Sequence, residues 1–418
     1  MKVLIVGSGG REHALAWKIS ESPKVQKIFI APGNAGTTLV GENVKLFTGD
    51  EIIEWLKKNS VDLVVIGPDN YLAEGLTDRI RALKISVFGP TKKASEIEWS
   101  KSFAKELMQE EGIPTAQSQA FSDYEKARKY ISQQKFPLVI KADGLALGKG
   151  VIIAENLGKA ESALERIMKD EIFGEAGRKV LVEEFLEGKE ISIHAFCDGE
   201  TVSLFPASQD HKRIFDEDKG ANTGGMGAIT PVSWVTEDLL NEIKEKIVLP
   251  CIFGLKKRGR PFVGVLYSGI MVTPDGPKVI EFNARFGDPE AQVYMRILKT
   301  DLVDVLLACA NHNLSSIKIE WNEEFACCVV LASDGYPEVY EKGKTISGLE
   351  KSENARIKIF HAGTKKDGNN IVTNGGRVLG VTATGNTLQS ALAEVYEAVK
   401  TISFDGMQFR QDIGRKSI

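Results

Sequence analysis

The sequence predicts a multidomain protein of mixed α/β and α+β class. It reads as an N-terminal doubly wound parallel sheet, a central region of antiparallel strand pairs with helices, and a small mixed β/α unit at the C-terminus. Three observations carry this. Over the first hundred residues short apolar runs alternate with helical patterns, the mark of βαβ units. Over residues 101–320 strand-like runs come in adjacent pairs around tight turns, of which Pro274-Asp275-Gly276 is the clearest. The remainder returns to strands and closes with one amphipathic helix.

In chain order, Val3–Val6, Lys27–Ala31, Val61–Ile66 and Ser86–Gly89 read as buried parallel strands. Arg11–Ser20, Gly49–Asn59 and Leu72–Leu83 read as the helices between them. Gly/Pro/Asn turns at the strands' carboxyl ends (Gly7–Gly10, Pro32–Gly36, Gly67–Asn70) mark the edge where open α/β sheets bind ligands. A helix over Ser95–Glu111 leads into the central region. There Phe136–Ala142 pairs with Gly150–Ala154, Lys179–Phe185 with Glu190–Cys197, and Val263–Thr273 with Pro277–Asn283. Ala326–Ala332, Ile357–His361 and Arg377–Thr384 are the last strands, and Leu388–Ser403 the closing helix. The expected domains are 1–100, 101–320 and 321–418.

The 418 residues leave room for ample core, and a net charge of −4 gives no broad pull toward nucleic acid or anionic membrane. No apolar run approaches the ~18 residues of a membrane span. Five scattered cysteines without a CxxC pair indicate neither a zinc site nor a disulfide framework, and read as thiols in a reducing, cytoplasmic setting.

The most informative stretch is Glu281-Phe-Asn283-Ala-Arg285-Phe-Gly-Asp-Pro-Glu290. On a strand Glu281, Asn283 and Arg285 share a face. Oxygen donors there suit Mg²⁺ held partly by substrate phosphates, and a guanidinium suits a phosphoryl group; a buried salt bridge closing a strand end is the plainer reading. Gly7-Ser-Gly9-Gly10-Arg11-Glu12 follows a strand and opens a helix, yet Glu12 stands where a dinucleotide fingerprint wants its third glycine. It reads as a phosphate site at a helix N-terminus or as a packing turn. Lys141-Ala-Asp143-Gly144-Leu-Ala-Leu-Gly148-Lys149-Gly150 is a glycine loop between strands without the Walker spacing, suited to closing over a triphosphate or to lying at the surface. The acidic connector Glu183–Glu190 can offer backbone to an adenine edge. Asp210-His211-Lys212-Arg213 and Asn222–Ala228 form a long polar segment whose basic trio can line an anionic site, with His211 also readable as a surface residue. No serine–histidine–acid or cysteine–histidine set stands out.

Taken in this order, the motifs resemble the ATP-grasp superfamily. Gly7–His13, Pro32–Gly36, Gln209–Arg213, Asn222–Gly227, Asn283–Glu290, His361-Ala-Gly-Thr364 and Gly375–Val381 together resemble its phosphoribosylamine–glycine ligase family over essentially the whole chain. The resemblance implies a central ATP-grasp domain with a mobile lid near 121–190. It implies an ADP-forming ligation of glycine to 5-phosphoribosylamine through glycyl phosphate, with Mg²⁺ or Mn²⁺ and ATP, by a monomer or weak homodimer acting on small molecules only. It further implies ATP contacts from Lys101, Lys141, Gly148, Lys149, Glu183, Phe185, Leu186 and Glu190, and metal ligation by Glu281 and Asn283. Substrate contacts fall on Gly9, Gly10, Arg11, Glu12, Asn34, Asp210, Lys212, Arg213, Gly225, Arg285, Gly375 and Arg377, and catalysis on Arg285, Lys141 and Asp210. The strand Gly264–Ile270 lacks the extra metal-binding acid of many superfamily members. A biotin-dependent carboxylase, the rival enzyme, would need a bicarbonate site and a biotin carrier; this sequence has no Ala-Met-Lys-Met-type carrier segment, and a separate protein could supply one.

Overall fold

The computed structural model describes residues 1–144 and 150–417. Its first sheet is parallel, with strands in the order Glu42–Asn43, Lys27–Pro32, Lys2–Gly7, Leu63–Ile66, Ser86–Phe88. The strand order reverses beside Lys2–Gly7, so the Gly7–Gly10 turn lies at the topological switch point. Near-continuous apolar runs make these strands, because helices cover both faces.

Two expected helices are each broken in two. Gly75, at φ +84°, separates Asp69–Glu74 from Leu76–Ala82, a left-handed conformation that glycine adopts without Cβ strain. Ser100 leaves helical geometry between Lys92–Trp99 and Lys101–Glu110, and its hydroxyl accepts from the Phe103 N–H as an N-cap. The second break matters for function, since it puts Lys101 in the first turn of a new helix.

A four-stranded antiparallel sheet follows the order Val202–Leu204, Lys189–Asp198, Val263–Thr273, Gly276–Asn283. A second one runs Ser118–Phe121, Val180–Glu184, Leu138–Ala142, Val151–Ala154 and carries helices Tyr124–Ile131 and Leu157–Met168. This second body has a core of its own around Ile131, Ile140, Leu164 and Val182. Each such buried aliphatic side chain contributes about 1.5–3 kcal/mol relative to exposure. The N-terminal helix Gly10–Ser20 instead shares a core with Glu290–Ile297 and Leu302–Ala310.

The last sheet contains Phe325–Ser333, Arg377–Gly385 and Ile357–His361, with helix Leu388–Thr401 packed on it. It also takes Gln209–Asp210 and Gly227–Thr230 from far earlier in the chain. Among the described residues no helix is long and apolar enough to cross a membrane.

Candidate active site

The Gly276–Asn283 strand pairs with Val263–Thr273 so that Glu281 lies opposite Gly269 and Asn283 opposite Tyr267. Between Glu281 and Val279 the register slips at Ile280, and a bulge of this kind re-aims the side chains that follow it. The Ile280 carbonyl accepts from Lys141 Nζ at 3.0 Å. Burial alone would push the Glu281 carboxyl up, but Lys212, Lys141, Lys101 and Arg285 around it hold it below the usual range. It is therefore an anion inside a ring of four cations. Arg285 lies just past the strand end; its Nη2 donates to Asn283 Oδ1 at 3.3 Å and meets Glu98 Oε1 at 2.9 Å. Burial disfavours the charged guanidinium, yet Glu98, Asp69, Tyr267 and Glu290 raise its pKa further. Asn283 is buried, and its Nδ2 has no hydrogen-bond partner among the described residues.

This donor set fits a divalent cation that completes its shell with phosphate oxygens. Glu281 is ionised, Asn283 offers an amide oxygen, and the lysines around them match anionic oxygens. Among the described residues no cluster of three or more His, Cys, Asp or Glu is placed to hold a metal by protein ligands alone.

Lys141 is buried and pairs with Glu183 Oε2 at 2.8 Å, while Lys105 meets Oε1 of the same carboxylate at 3.1 Å. The strand register explains the first pair: Val139 lies opposite Glu183, so Lys141 is its diagonal neighbour on one face. Lys101 Nζ donates to the Gly144 carbonyl at 3.0 Å, and burial lowers its pKa against the pull of Glu281. Asp143 at the root of the glycine loop accepts from the Ser102 N–H and hydroxyl, tying that root to the Lys101 helix. Gly148 and Lys149 lie outside the described residues. The Glu183 side chain is thus engaged by lysines, and Phe185 and Leu186 follow it in the connector, Phe185 exposed. Glu190 begins the neighbouring strand and pairs with Lys212.

A group of acids closes the other side. Asp210 is enclosed beside Glu290, and its Oδ1 has no hydrogen-bond partner among the described residues. Burial and the Glu290 charge lift its carboxyl well above the ordinary value, with Lys212 and Arg377 only partly opposing. Glu290 Oε1 accepts from Ser192 Oγ at 3.1 Å, and Ser192 Oγ lies 3.0 Å from Tyr267 Oη. A carboxyl with a raised folded pKa stabilises the fold fully below its ordinary value of 3.8 and loses the contribution as pH rises through the folded pKa. Asp210→Asn should therefore melt close to the wild type near about pH 4 and above it by roughly a few degrees near about pH 8. Calorimetry across that range checks it; a gap that narrows with rising pH would contradict the shift.

The N-terminal loop is less open than its sequence suggests. Glu12 Oε2 accepts from the Gly9 N–H at 2.6 Å and Glu12 Oε1 from Arg11 Nε at 2.6 Å, so the side chain after the loop takes one of the amides expected to be free. Gly10 opens the helix against Gln292 and Ala362, and Arg11 Nη1 donates to the Phe286 carbonyl at 3.0 Å. Asn34 is held by the scaffold. Its Nδ2 donates to the Ser8 and His361 carbonyls, and its Oδ1 accepts from Gly36 and Thr37, so all its polar atoms are engaged by scaffold. Arg377 holds the Asp288 and Gly224 carbonyls, and Gly225 packs against Pro289 and Asp210 where a side chain would collide. Gly375 approaches Gly363 backbone to backbone. His211 is a buried residue rather than a surface one. Arg213 turns from Lys212 and donates to the Gly220 carbonyl, which divides the expected basic trio.

Several contributors escaped the sequence reading: Glu98, Lys105, Asp288 and Glu290. Lys105 had a signal, since it stands four residues after Lys101 on one helix face. Glu290 was visible within its motif, but nothing local showed that Asp210 would face it. Glu98 had none, because its partner Arg285 is remote in sequence.

Family models described as the N domain, the ATP-grasp (A) domain and the C domain of phosphoribosylglycinamide synthetase match residues 1–98, 99–291 and 326–416. The chain is 46% identical over 423 residues to a phosphoribosylamine–glycine ligase of Vibrio parahaemolyticus, covering 100% of this chain and 99% of that protein. It is 47% identical to the trifunctional purine biosynthetic protein adenosine-3 of Gallus gallus, of which it spans 42%. A crystal structure of phosphoribosylamine–glycine ligase from Thermotoga maritima matches with a TM-score of 0.89 at 35% identity, covering 99% of this chain and 100% of that one. A biotin carboxylase from Campylobacter jejuni matches at 0.74 with 15% identity, covering 98% and 92%, a likeness of fold alone.

Proposed function

The chain belongs to the phosphoribosylglycinamide synthetase family, and from that premise we infer that it is an ADP-forming ligase joining glycine to 5-phosphoribosylamine in purine biosynthesis. Its products are glycinamide ribonucleotide, ADP and phosphate. The observation that carries the reading is the Glu281 carboxylate, ionised among Lys101, Lys141, Lys212 and Arg285 beside the amide oxygen of Asn283.

A glycine carboxylate cannot acylate an amine directly, because oxide is too poor a leaving group. One of its oxygens attacks the γ-phosphorus of ATP, the bond from that phosphorus to the β-bridging oxygen breaks, and ADP leaves. The amine nitrogen of phosphoribosylamine then attacks the acyl carbon of glycyl phosphate, and the carbon–oxygen bond to phosphate breaks. Such chemistry asks the protein mainly to position reactants and neutralise charge. Lys101 and Lys141 steady the ATP phosphates, backbone at Glu183, Phe185 and Leu186 receives the adenine, and Glu190 the ribose. Glu281 and Asn283 would hold the divalent cation, which when bound would supply charge neutralisation to the phosphates; an all-oxygen pair of ligands would favour Mg²⁺, with Mn²⁺ as substitute. Arg285 stabilises the phosphoryl group in flight. Asp210, with its raised pKa, is suited to take the proton the amine sheds.

Gly9, Gly10 and Arg11 at the switch point, with Gly225, Gly375 and Arg377, frame the phosphoribosylamine site. The body spanning about 121–190 serves as a lid, since its separate core lets it move as a unit over an unstable substrate. Five buried free thiols suit a reducing compartment, hence the cytoplasm. The net charge of −4 suits small-molecule partners only, and we take the protein to act as a monomer or weak homodimer.

Isotope transfer tests the chemistry. Glycine carrying heavy oxygen in its carboxylate should pass one label per turnover to inorganic phosphate, read by mass analysis. Unlabelled phosphate, or AMP as the nucleotide product, would refute the acyl phosphate route.

A further inference from the structure

The extended segment Gln209–Arg213 has two sides. Its even members face the reaction centre: Asp210 lies beside Glu290, and Lys212 pairs with Glu190. The side chains of Gln209 and His211 and the backbone carbonyl of Arg213 meet the C-terminal tail, residues 410–417. Ser417 Oγ donates to Gln209 Oε1 at 2.7 Å, the Gly414 N–H donates to His211 Nε2 at 3.0 Å, and Arg410 Nη1 donates to the Arg213 carbonyl at 3.1 Å. This alternation is the period of a strand, so whatever fixes the odd side also fixes where the even side points.

The tail itself is firmly seated. Arg410 is almost fully buried, and its guanidinium is shared between Asp412 and Asp218. Asp412 accepts from the Glu217 N–H, the Gln411 N–H donates to Asp216, and Ile413 sits in the C-terminal core. At the centre is His211. Its Nδ1 lies 3.3 Å from the Gly227 carbonyl and its Nε2 accepts from Gly414, so the proton resides on Nδ1 and the neutral ring bridges two backbones. Neither Arg410 nor His211 has a part in the chemistry described above.

We propose that the C-terminal tail is a strut that positions Asp210 in the active site, acting through His211 as a positioning residue. The inference rests on the reading of Asp210 as part of the reaction centre. Small displacements of reacting groups are costly: a shift of about 1 Å can lower a rate roughly a hundredfold.

The test uses the full-length enzyme and steady-state turnover with ATP, glycine and phosphoribosylamine. His211→Leu fills the space but bonds to neither backbone. His211→Gln reaches both, donating to Gly227 and accepting from Gly414. His211→Leu should lower kcat roughly tenfold or more with a smaller change in the three KM values, and His211→Gln should recover most of it. Combined with Asp210→Asn, His211→Leu should add no further loss, because the two act as one unit. Unchanged kcat in His211→Leu, failure of the glutamine variant to rescue, or independent multiplication with Asp210→Asn would each overturn the strut. Should His211→Leu not fold, removal of residues 414–418 keeps Arg410–Ile413 while deleting the Gly414 N–H that donates to His211 and the Gln209 link. It should lower kcat several-fold in the wild type and not in Asp210→Asn, and an unchanged kcat would overturn the proposal. If Asp210→Asn alone keeps full turnover, the assignment of Asp210 fails first, and the strut through it falls with it.

Discussion

Arg285→Ala lowers kcat by roughly a hundredfold or more, the usual cost of removing one donor aimed at transition-state charge. The guanidinium reaches Asn283 Oδ1 and is held by Glu98, so it is fixed before substrate arrives and needs no reorganisation during reaction. The substitution also leaves Glu98 buried without its cation. Burial already raises that carboxyl's pKa against the opposing field of Arg285, so losing the guanidinium pushes it further toward the neutral acid. A stability loss would then cloud the kinetic one. The double variant Glu98→Gln/Arg285→Ala removes this ambiguity, because it deletes both charges. It should melt closer to the wild type than Arg285→Ala does, while its kcat stays as low. Recovery of turnover along with stability would show that Arg285 serves the fold alone.

Glu281→Gln is the second large effect. The substitution keeps the shape and removes the negative charge on which Lys212, Lys141, Lys101 and Arg285 converge. Turnover should fall by roughly two to three orders of magnitude, the size expected when several kcal/mol of charge stabilisation on phosphoryl oxygens is lost. The loss should be greatest at limiting magnesium, and Asn283→Leu should share that metal dependence. Near-normal turnover of both folded variants at limiting magnesium would refute the ligand assignment. Stability responds with a definite sign. A carboxyl whose folded pKa is lowered stabilises the fold above its unfolded pKa and loses that contribution as pH falls through the folded value. The melting temperature of Glu281→Gln should therefore lie below the wild type at neutral pH and converge on it in acid.

The sequence by itself determined the parallel N-terminal sheet, the hairpin around Pro274–Gly276 and the placement of Glu281 with Asn283 on one strand face. These are consequences of local periodicity and turn chemistry, which neighbouring residues express without help from the rest of the chain. The helix break at Ser100 had a local basis too, since serine is a strong N-cap, but an uninterrupted helical pattern from 95 to 111 concealed it.

The tertiary structure alone decided which charges meet. Glu98 with Arg285, Glu183 between Lys105 and Lys141, and Asp210 against Glu290 join residues far apart in the chain. Their protonation follows from burial and from the summed field of those partners, and neither quantity is encoded within a local window. The same holds for the Asn34 amide in its glycine-rich turn, which donates to the Ser8 and His361 carbonyls. Buried polar atoms require partners, and one of those for Asn34, the His361 carbonyl, comes from a segment more than three hundred residues away.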